Sequence, residues 1–325
     1  LSTMASVRNS KQPLSLVSGC AGFVGSHLVD RLIQKGHNII GIDNLSTGSC
    51  ENLCHALEQP ELFRFIQGDL SDTTVIPDQD YDFIWHIASP ASPPDYQRLS
   101  IDTMLINSMG TKNMLDMAKK KGSRFLLTST SEVYGDPSMH PQKESYWGNV
   151  NPVGERACYD ESKRFAEALT MEYHRKYAVE TRIVRIFNTY GPRMRPNDGR
   201  VITNFIVQAL EEKPLTIYGD GTQTRSFQYI DDLIDGLLLV MESDYAHPIN
   251  LGNPEEYSML ELARIVLELT GSSSHLSFLP LPSDDPKQRK PDITLAKQLL
   301  SWEPKVTLRQ GLMNILTTFQ ALKEI

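Results

Sequence analysis

The 325-residue chain carries 40 acidic against 32 basic residues, a formal net charge of -8, which disfavours wholesale binding to nucleic acid or to an anionic membrane surface. Hydrophobic residues make up 40% and charged residues 22%, ordinary globular values for a chain long enough for two domains, or for one large domain with a lobe. Cys20, Cys50, Cys54 and Cys158 lack the paired spacing of a zinc site, so no metal is expected, and a protein of this size needs no disulfide framework.

Residues 14–18 read as a buried strand running into Gly19-Cys20-Ala21-Gly22-Phe23-Val24-Gly25, after which Leu28, Val29, Leu32 and Ile33 keep helical spacing up to Gly36. Strand, glycine turn and helix in that order predict a dinucleotide cradle, with Phe23 and Val24 in the same turn. Gly19 permits the tight turn, Gly22 lets backbone approach a pyrophosphate and Gly25 lets helix pack on strand. A second strand, His37 to Ile42, ends in Asp43-Asn44, where an acidic residue suits the adenosine ribose hydroxyls. The following Leu45-Ser46-Thr47 brings no arginine for a 2'-phosphate, which favours NAD over NADP. A strand near Leu62 to Ile66 ends in Gly68-Asp69-Leu70, with Asp69 placed for an adenine amino group. Another, Tyr81 to Ile87, ends in Ala88-Ser89-Pro90-Ala91-Ser92, small side chains that leave room for a flat cofactor. His86 within that strand reads as a core histidine. A helix over 101–120 leads into the strand Arg124 to Leu127, and this rhythm predicts an α/β, Rossmann-type doubly wound parallel sheet.

That strand runs into Thr128-Ser129-Thr130-Ser131-Glu132-Val133-Tyr134-Gly135, hydroxyls and one carboxylate at a strand's carboxyl end, where open α/β sheets bind ligand. Further on come Tyr159 and Lys163, four positions apart. Phe165, Leu169 and Tyr173 continue a helical pattern, so the two share one face about a turn apart. A free phenol titrates near ~10, and a neighbouring ammonium is expected to favour phenolate and make Tyr159 a usable base. An isolated YxxxK is more often a surface pair; the glycine turn and the hydroxyl-rich strand end argue for catalysis.

GxxGxxG, a Ser/Thr at this strand end and YxxxK together resemble the extended short-chain dehydrogenase/reductase superfamily, whose members act on nucleotide sugars through bound NAD. Within it, HIASPASPPDY (86–96), STSEVYGDP (129–137), YWGNVNPVGERACYDESKR (146–164), RIFNTYGPRM (185–194), NDGRVITNF (197–205) and QTRSFQY (223–229) resemble the UDP-glucuronic acid decarboxylase family over most of the chain. The resemblance implies Thr130 and Tyr159 on the sugar's 4-hydroxyl, Lys163 on Tyr159 and the nicotinamide ribose, and Glu132 and Arg225 beside the carboxylate-bearing carbon. It also implies Asn188, Arg225 and Arg289 at the diphosphate, Tyr218 near the uracil, Ser131 and Asn204 among the other substrate contacts, and Arg200 near the nicotinamide. The implied chemistry is oxidation at carbon 4, loss of carbon dioxide from the resulting β-keto acid, and protonation at carbon 5 with return of the hydride, giving UDP-xylose and regenerating NAD. Related 4,6-dehydratases carry Asp-Glu after the threonine; Ser131 in the Asp position argues against elimination of water.

The family's Lys-Thr-Asn run is Leu105-Ile106-Asn107 here, which removes a cation expected near the sugar, and Ser162 replaces the commoner glycine of YDEGK. After the strand Thr181 to Phe187 the composition turns to a loop around Asn188, Pro192, Pro196 and Gly199, in which Arg195 reads as solvated. The expected organisation is a Rossmann domain over 11–187, joined by about 226–250, with a smaller nucleotide-sugar-binding lobe from 188–225 and 251–325 that includes helices Leu260 to Leu269 and Leu308 to Leu322. Helices 101–120 and 160–177 pair in the family as a four-helix interface, so a homodimer is expected. No apolar run approaches the ~18 residues of a membrane span, no signal-peptide pattern opens the sequence, and a cytoplasmic enzyme without membrane or nucleic-acid partners is expected. The alternatives are a 4-epimerase or 4,6-dehydratase on the same scaffold, or a non-catalytic nucleotide sensor.

Overall fold

Strands Leu14–Ser18 (β1) and Asn38–Asp43 (β2) are buried along their whole length, so both of their faces need cover, which a parallel sheet between helices supplies. The computed structural model describes residues 12–280 and 289–321. In it these two strands join Phe63–Gln67 (β3), Phe83–His86 (β4), Arg124–Thr130 (β5), Thr181–Ile186 (β6) and Pro248–Leu251 (β7) in one sheet of order β3-β2-β1-β4-β5-β6-β7. Every pairing in it is parallel. The order reverses between β1 and β4, and the crevice at the carboxyl ends of those two strands is where such a sheet takes its ligand.

Alternation along the strands divides the core into two. Leu16, Ile40, Ile84, Phe125 and Leu127 point to the face covered by Thr111–Lys121 and Ala157–Tyr177. Val17, Ile39, Trp85 and Leu126 point to the face covered by Phe23–Gln34 and Ile230–Glu242. We label the helices α1 (Phe23–Gln34), α2 (Pro93–Arg98), α3 (Ser100–Leu105), α4 (Thr111–Lys121), α5 (Ala157–Tyr177), α6 (Val201–Leu210) and α7 (Ile230–Glu242).

The single helix expected over 101–120 is interrupted. A π-helical turn, Ile106–Gly110, separates α3 from α4. Asn107, its second residue, is buried and donates from Nδ2 to Thr103 O, Ser89 Oγ and Ser162 Oγ, so its side chain competes inside the helical ladder and widens it locally. The helix α6 follows directly on the expected loop and buries Ile202, Phe205, Ile206 and Ala209 at helical spacing. Beyond it, Leu215–Tyr218 pairs with Leu276–Leu279 and Thr224–Ser226 with Glu256–Ser258, before the helix Met259–Thr270, which Ser258 and Glu261 open as a capping box. Residues 284–288 of the segment before Arg289, and Leu322 at the end of the last expected helix, lie outside the described residues. Among the described residues no helix is long and apolar enough to cross a membrane.

Asp232 on α7 anchors the chain leading to the last helix. Its carboxylate accepts Lys305 N and Val306 N at 3.0 Å each, and its carbonyl accepts Trp302 Nε1 at 3.0 Å. Asp232→Ala leaves two backbone donors without an acceptor, at about 1–3 kcal/mol each. The expected result is a thermal unfolding midpoint lower by about 4 °C or more; an unchanged midpoint would show that the segment holds without this anchor.

Candidate active site

The glycine turn after β1 is dictated by close approach. Gly19 sits at φ 67°, and a Cβ there would lie 2.7 Å from Ala88 Cα, while a Cβ on Gly25 would lie 1.9 Å from Gly19 O. Neither position accepts a side chain. Gly22 differs, because a Cβ there meets only Gly19 O, at 3.3 Å. Packing leaves that side of the turn open at the N-terminus of the 12-residue α1, where unpaired N–H groups favour an anion. At the end of β2, Asp43 accepts Ala21 N at 3.0 Å and Leu45 N at 2.8 Å, which fixes its carboxylate against the turn, and burial raises its pKa. Asp69 accepts Asn44 Nδ2 at 3.0 Å and Ser71 N at 2.8 Å; burial would raise its pKa, and the hydrogen bonds from Ser71 and Asn44 take it below the ordinary value.

These residues line one cleft. With Gly19, Gly22, Gly25, Asp43 and Asp69 it includes Phe23, Val24, Asn44, Leu70, Ala88 and Ser89, and it continues past Thr130, Ser131, Glu132, Tyr159 and Lys163 to Asn188 and Arg200. The open side of Gly22 at a helix N-terminus and the carboxylate at the end of β2 fit a dinucleotide, and Ser46 and Thr47 beyond Asp43 bring no positive charge for a 2'-phosphate. The cradle therefore fits NAD.

Opposite the turn, β5 delivers Thr130 and α5 delivers Tyr159 and Lys163, which are 5% and 3% exposed. Lys163 Nζ donates to Thr128 O at 2.9 Å and lies 5.9 Å from the Tyr159 ring centroid. Burial pushes Lys163 down to about 7, against the pull of Glu167. Burial also pushes Tyr159 up to about 12, a hydrogen bond from Thr130 opposing it. The expectation that the ammonium lowers the phenol is corrected here: desolvation dominates both groups, and Lys163 is engaged by a backbone carbonyl. Tyr96, on α2, stacks flat on Tyr159 with ring centroids 4.9 Å apart and 4° between planes, which fixes the phenol's plane. His86 is the core histidine expected of it: it bonds Ser18 Oγ at 2.9 Å and Thr111 Oγ1 at 3.0 Å, and burial holds it neutral with a pKa of about 3.

Beside Tyr159 lies a charge cluster that only the tertiary structure assembles. Glu132 pairs with Arg156 and with Arg289, whose Nη2 is 3.3 Å away. Burial would raise the Glu132 carboxyl, but the guanidinium groups of Arg289, Arg156 and Arg225 together hold it below the ordinary carboxylate value. Arg289 is fully buried, donates to Ser131 O and, at 2.9 Å, to Gly135 O, and its main chain bridges to that of Arg225. Arg289, expected at the diphosphate, here uses its two Nη atoms on Glu132 and two carbonyls, and its Nε has no hydrogen-bond partner. Arg156 was not singled out in the sequence; its signal there is its position three residues before Tyr159, at the start of α5.

Of the other expected substrate contacts, Ser131 and Asn188 line the cleft, whereas Asn204, Tyr218, Arg225 and Arg289 are not among its lining residues. Asn204 donates to Gly199 O at 3.2 Å, and Tyr218 is 44% exposed at the end of Leu215–Tyr218. Arg195, expected in solvent, instead pairs with Asp95 on α2, and both line the cleft. Asp102 and Ile106 also line it, while Leu105 is 39% exposed. Leu105 itself forms no part of that lining.

Comparison with known proteins agrees with this geometry. Residues 15–252 match the NAD dependent epimerase/dehydratase family. The chain is 55% identical over 305 residues to UDP-glucuronic acid decarboxylase 1 of Arabidopsis thaliana, covering 94% of this chain and 69% of that protein. It is 52% identical to UDP-glucuronic acid decarboxylase 1 of Xenopus tropicalis, covering 94% and 72%. Among solved structures, UDP-glucose 4-epimerase from Thermotoga maritima superposes with a TM-score of 0.88 at 29% identity, covering 95% of this chain and 99% of that one. UDP-glucuronic acid 4-epimerase from Bacillus cereus, in complex with UDP-glucuronic acid and NAD, gives 0.84 at 32% identity, covering 95% and 99%. With its glycine turn, its Thr130, Tyr159 and Lys163 and a match over most of its length, the chain belongs to the NAD dependent epimerase/dehydratase family.

Proposed function

We propose that the protein decarboxylates UDP-glucuronate to UDP-xylose with NAD held as a cofactor that is regenerated in each cycle. The observation that carries this reading is Glu132, a carboxyl ringed by Arg156, Arg225 and Arg289 and placed next to Tyr159 at one end of a dinucleotide cleft. An epimerase needs no such group, since it neither loses carbon dioxide nor protonates a carbon. The relatives named UDP-glucuronic acid decarboxylase, at 52–56% identity over 94% of the chain, support the same reading.

The turn shaped by Gly19 and Gly25 and open at Gly22 would hold the pyrophosphate, Asp43 the adenosine ribose, and Lys163 the nicotinamide ribose. Bound NAD supplies the acceptor and donor of hydride for carbon 4 of the sugar and, when oxidised, a positive charge near the phenol. Tyr159 takes the proton of the 4-hydroxyl and returns it, and Thr130, hydrogen-bonded to the phenol, holds the oxygen at carbon 4 in line with it. Glu132 handles the proton at carbon 5, and Arg225 completes the positive surround that orients the sugar's carboxylate. Asn188, Arg225, Arg289, Asn204 and Tyr218 belong to the substrate side, in a lobe built from 188–225 and 251–325, and Ser131 adds a contact from the turn after β5.

We also assign the exposed apolar residues Ile101, Met104, Leu105 and Met109 of α3 and the π-turn, with Phe165 of α5, to a homodimer interface. Position 105 then serves packing rather than sugar recognition. The four free cysteines suit a reducing compartment, in keeping with a cytoplasmic enzyme.

A proton NMR time course of the purified protein with UDP-glucuronate and NAD should show UDP-xylose appearing without net NADH, with UDP-glucose and dTDP-glucose unchanged in parallel. Conversion of a neutral sugar with UDP-glucuronate untouched would overturn the substrate assignment. Tyr159→Phe removes the proton carrier and should lower kcat about 10²–10⁴-fold while NAD binding, followed by fluorescence titration, stays within about twofold. Light scattering at micromolar concentration should give a dimer mass, and Met109→Glu should shift it to monomer; a wild-type monomer would remove the interface.

A further inference from the structure

The proposed decarboxylation consumes a proton: the carboxylate leaves as carbon dioxide and carbon 5 gains a hydrogen. Glu132 faces the cleft, yet its guanidinium partners keep it ionised, so the proton must be held nearby until it is needed. Sharing Arg156 with it, on the first turn of α5, is Asp160. It is 6% exposed, is not among the residues lining the cleft, and its Oδ1 has no hydrogen-bond partner. Its Oδ2 lies 3.9 Å from Arg156 Nε, while the same guanidinium pairs through Nη2 with Glu132. One arginine thus serves two carboxyl groups. A buried carboxylate with a bare oxygen is unfavourable, and a carboxylic acid in the same place far less so.

We propose that Asp160 is a positioning residue for Glu132: the two carboxyls hold one proton between them, and Arg156 changes partner as that proton moves. With the proton on Asp160, Glu132 is the carboxylate paired with Arg156 and Arg289. With the proton on Glu132, Asp160 is ionised and takes up Arg156 across the gap already present, and Glu132 carries the hydrogen that carbon 5 requires. Delivery to carbon 5 leaves Glu132 ionised, and a proton from solvent then restores the pair, one for each carbon dioxide released. Asp160 is faced by Glu132 from the turn after β5, by Arg289 from its buried loop, by Arg156 and Glu161 along α5, and by Tyr96 from α2. Burial first, and the charge of Glu132 second, push Asp160 up to about 7, with Arg156 and Arg289 opposing. A group titrating there exchanges protons readily with neutral solvent.

The use made of the proton rests on the decarboxylase reading; the pair itself is open to test without substrate. Carboxyl carbon NMR of the labelled full-length protein should show a one-proton titration near neutrality that is absent in Asp160→Asn. In Glu132→Gln the same titration should fall by about one pH unit or more, because the like charge is gone. In turnover, Asp160→Asn should lower kcat about tenfold with KM for UDP-glucuronate unchanged. It should also abolish the decline in kcat above neutral pH, which follows in the wild type from loss of the shared proton, and Asp160→Glu should restore both. Titration of Asp160 in the ordinary carboxyl range, no response to Glu132→Gln, or a wild-type kcat–pH profile in Asp160→Asn would each overturn the proposal. A shared titration in a wild-type protein that leaves UDP-glucuronate unchanged would uphold the pair and overturn the decarboxylase reading instead.

Discussion

The hydrogen bond from Lys163 Nζ to Thr128 O joins α5 to the end of β5, and the rest of the site is set by that junction. It fixes the helix's rotation and height against the sheet, so Tyr159, one turn earlier, falls next to Thr130 at the strand end. Thr130 in turn opens the 3-10 turn Ser131–Tyr134 by accepting Glu132 N at 3.2 Å, which aims the Glu132 carboxylate toward Arg156, three residues ahead of Tyr159 on the same helix. A second tie lies one turn further along α5. Glu167 accepts Ser129 Oγ at 2.5 Å and pairs with Arg185 of β6 at 2.7 Å, so a carboxylate and a guanidinium outside the cleft lining lock helix to strands.

Burial is what gives those ties their chemical effect. In water the ammonium and the phenol would each titrate at about 10; inside this crevice Lys163 comes down to about 7 and Tyr159 goes up to about 12. The two shifts share one cause, desolvation of the charged form, and they have opposite signs because one group is charged when protonated and the other when not. Without ligand the phenol is therefore neutral at neutral pH, while the amine is only partly protonated. Around Glu132, in an acidic protein, three guanidinium groups outweigh burial.

Much of the scaffold was legible from local pattern. Strand runs such as Leu14–Ser18 and Thr181–Ile186, and the glycine spacing of Gly19, Gly22 and Gly25, are short-range signals, and the structure places them within a residue or two of where the sequence does. What stayed hidden is non-local. Arg156 becomes meaningful only when α5 swings it against Glu132, and Asp95 with Arg195 only when residues a hundred positions apart meet across the cleft. The π-turn escaped for another reason. Ile101, Met104 and Met109 sustain a helical pattern straight through it, and only the tertiary partners of Asn107, Ser89 and Ser162, decide where the ladder opens.

Within the proposed reaction these features bear on selectivity. A sugar carboxylate reaching the guanidinium groups would compete with Glu132 for the same cations, and a neutral sugar would not. An entering carboxylate that takes over part of that positive field relieves the force keeping Glu132 ionised, so Glu132 is protonated more easily with the acid bound than in its absence. The substrate would thereby prepare the acid that acts on it. A neutral nucleotide sugar would leave Glu132 as a carboxylate. Discrimination then arises from the protonation state of one buried group, a demand on the site that shape alone could not meet.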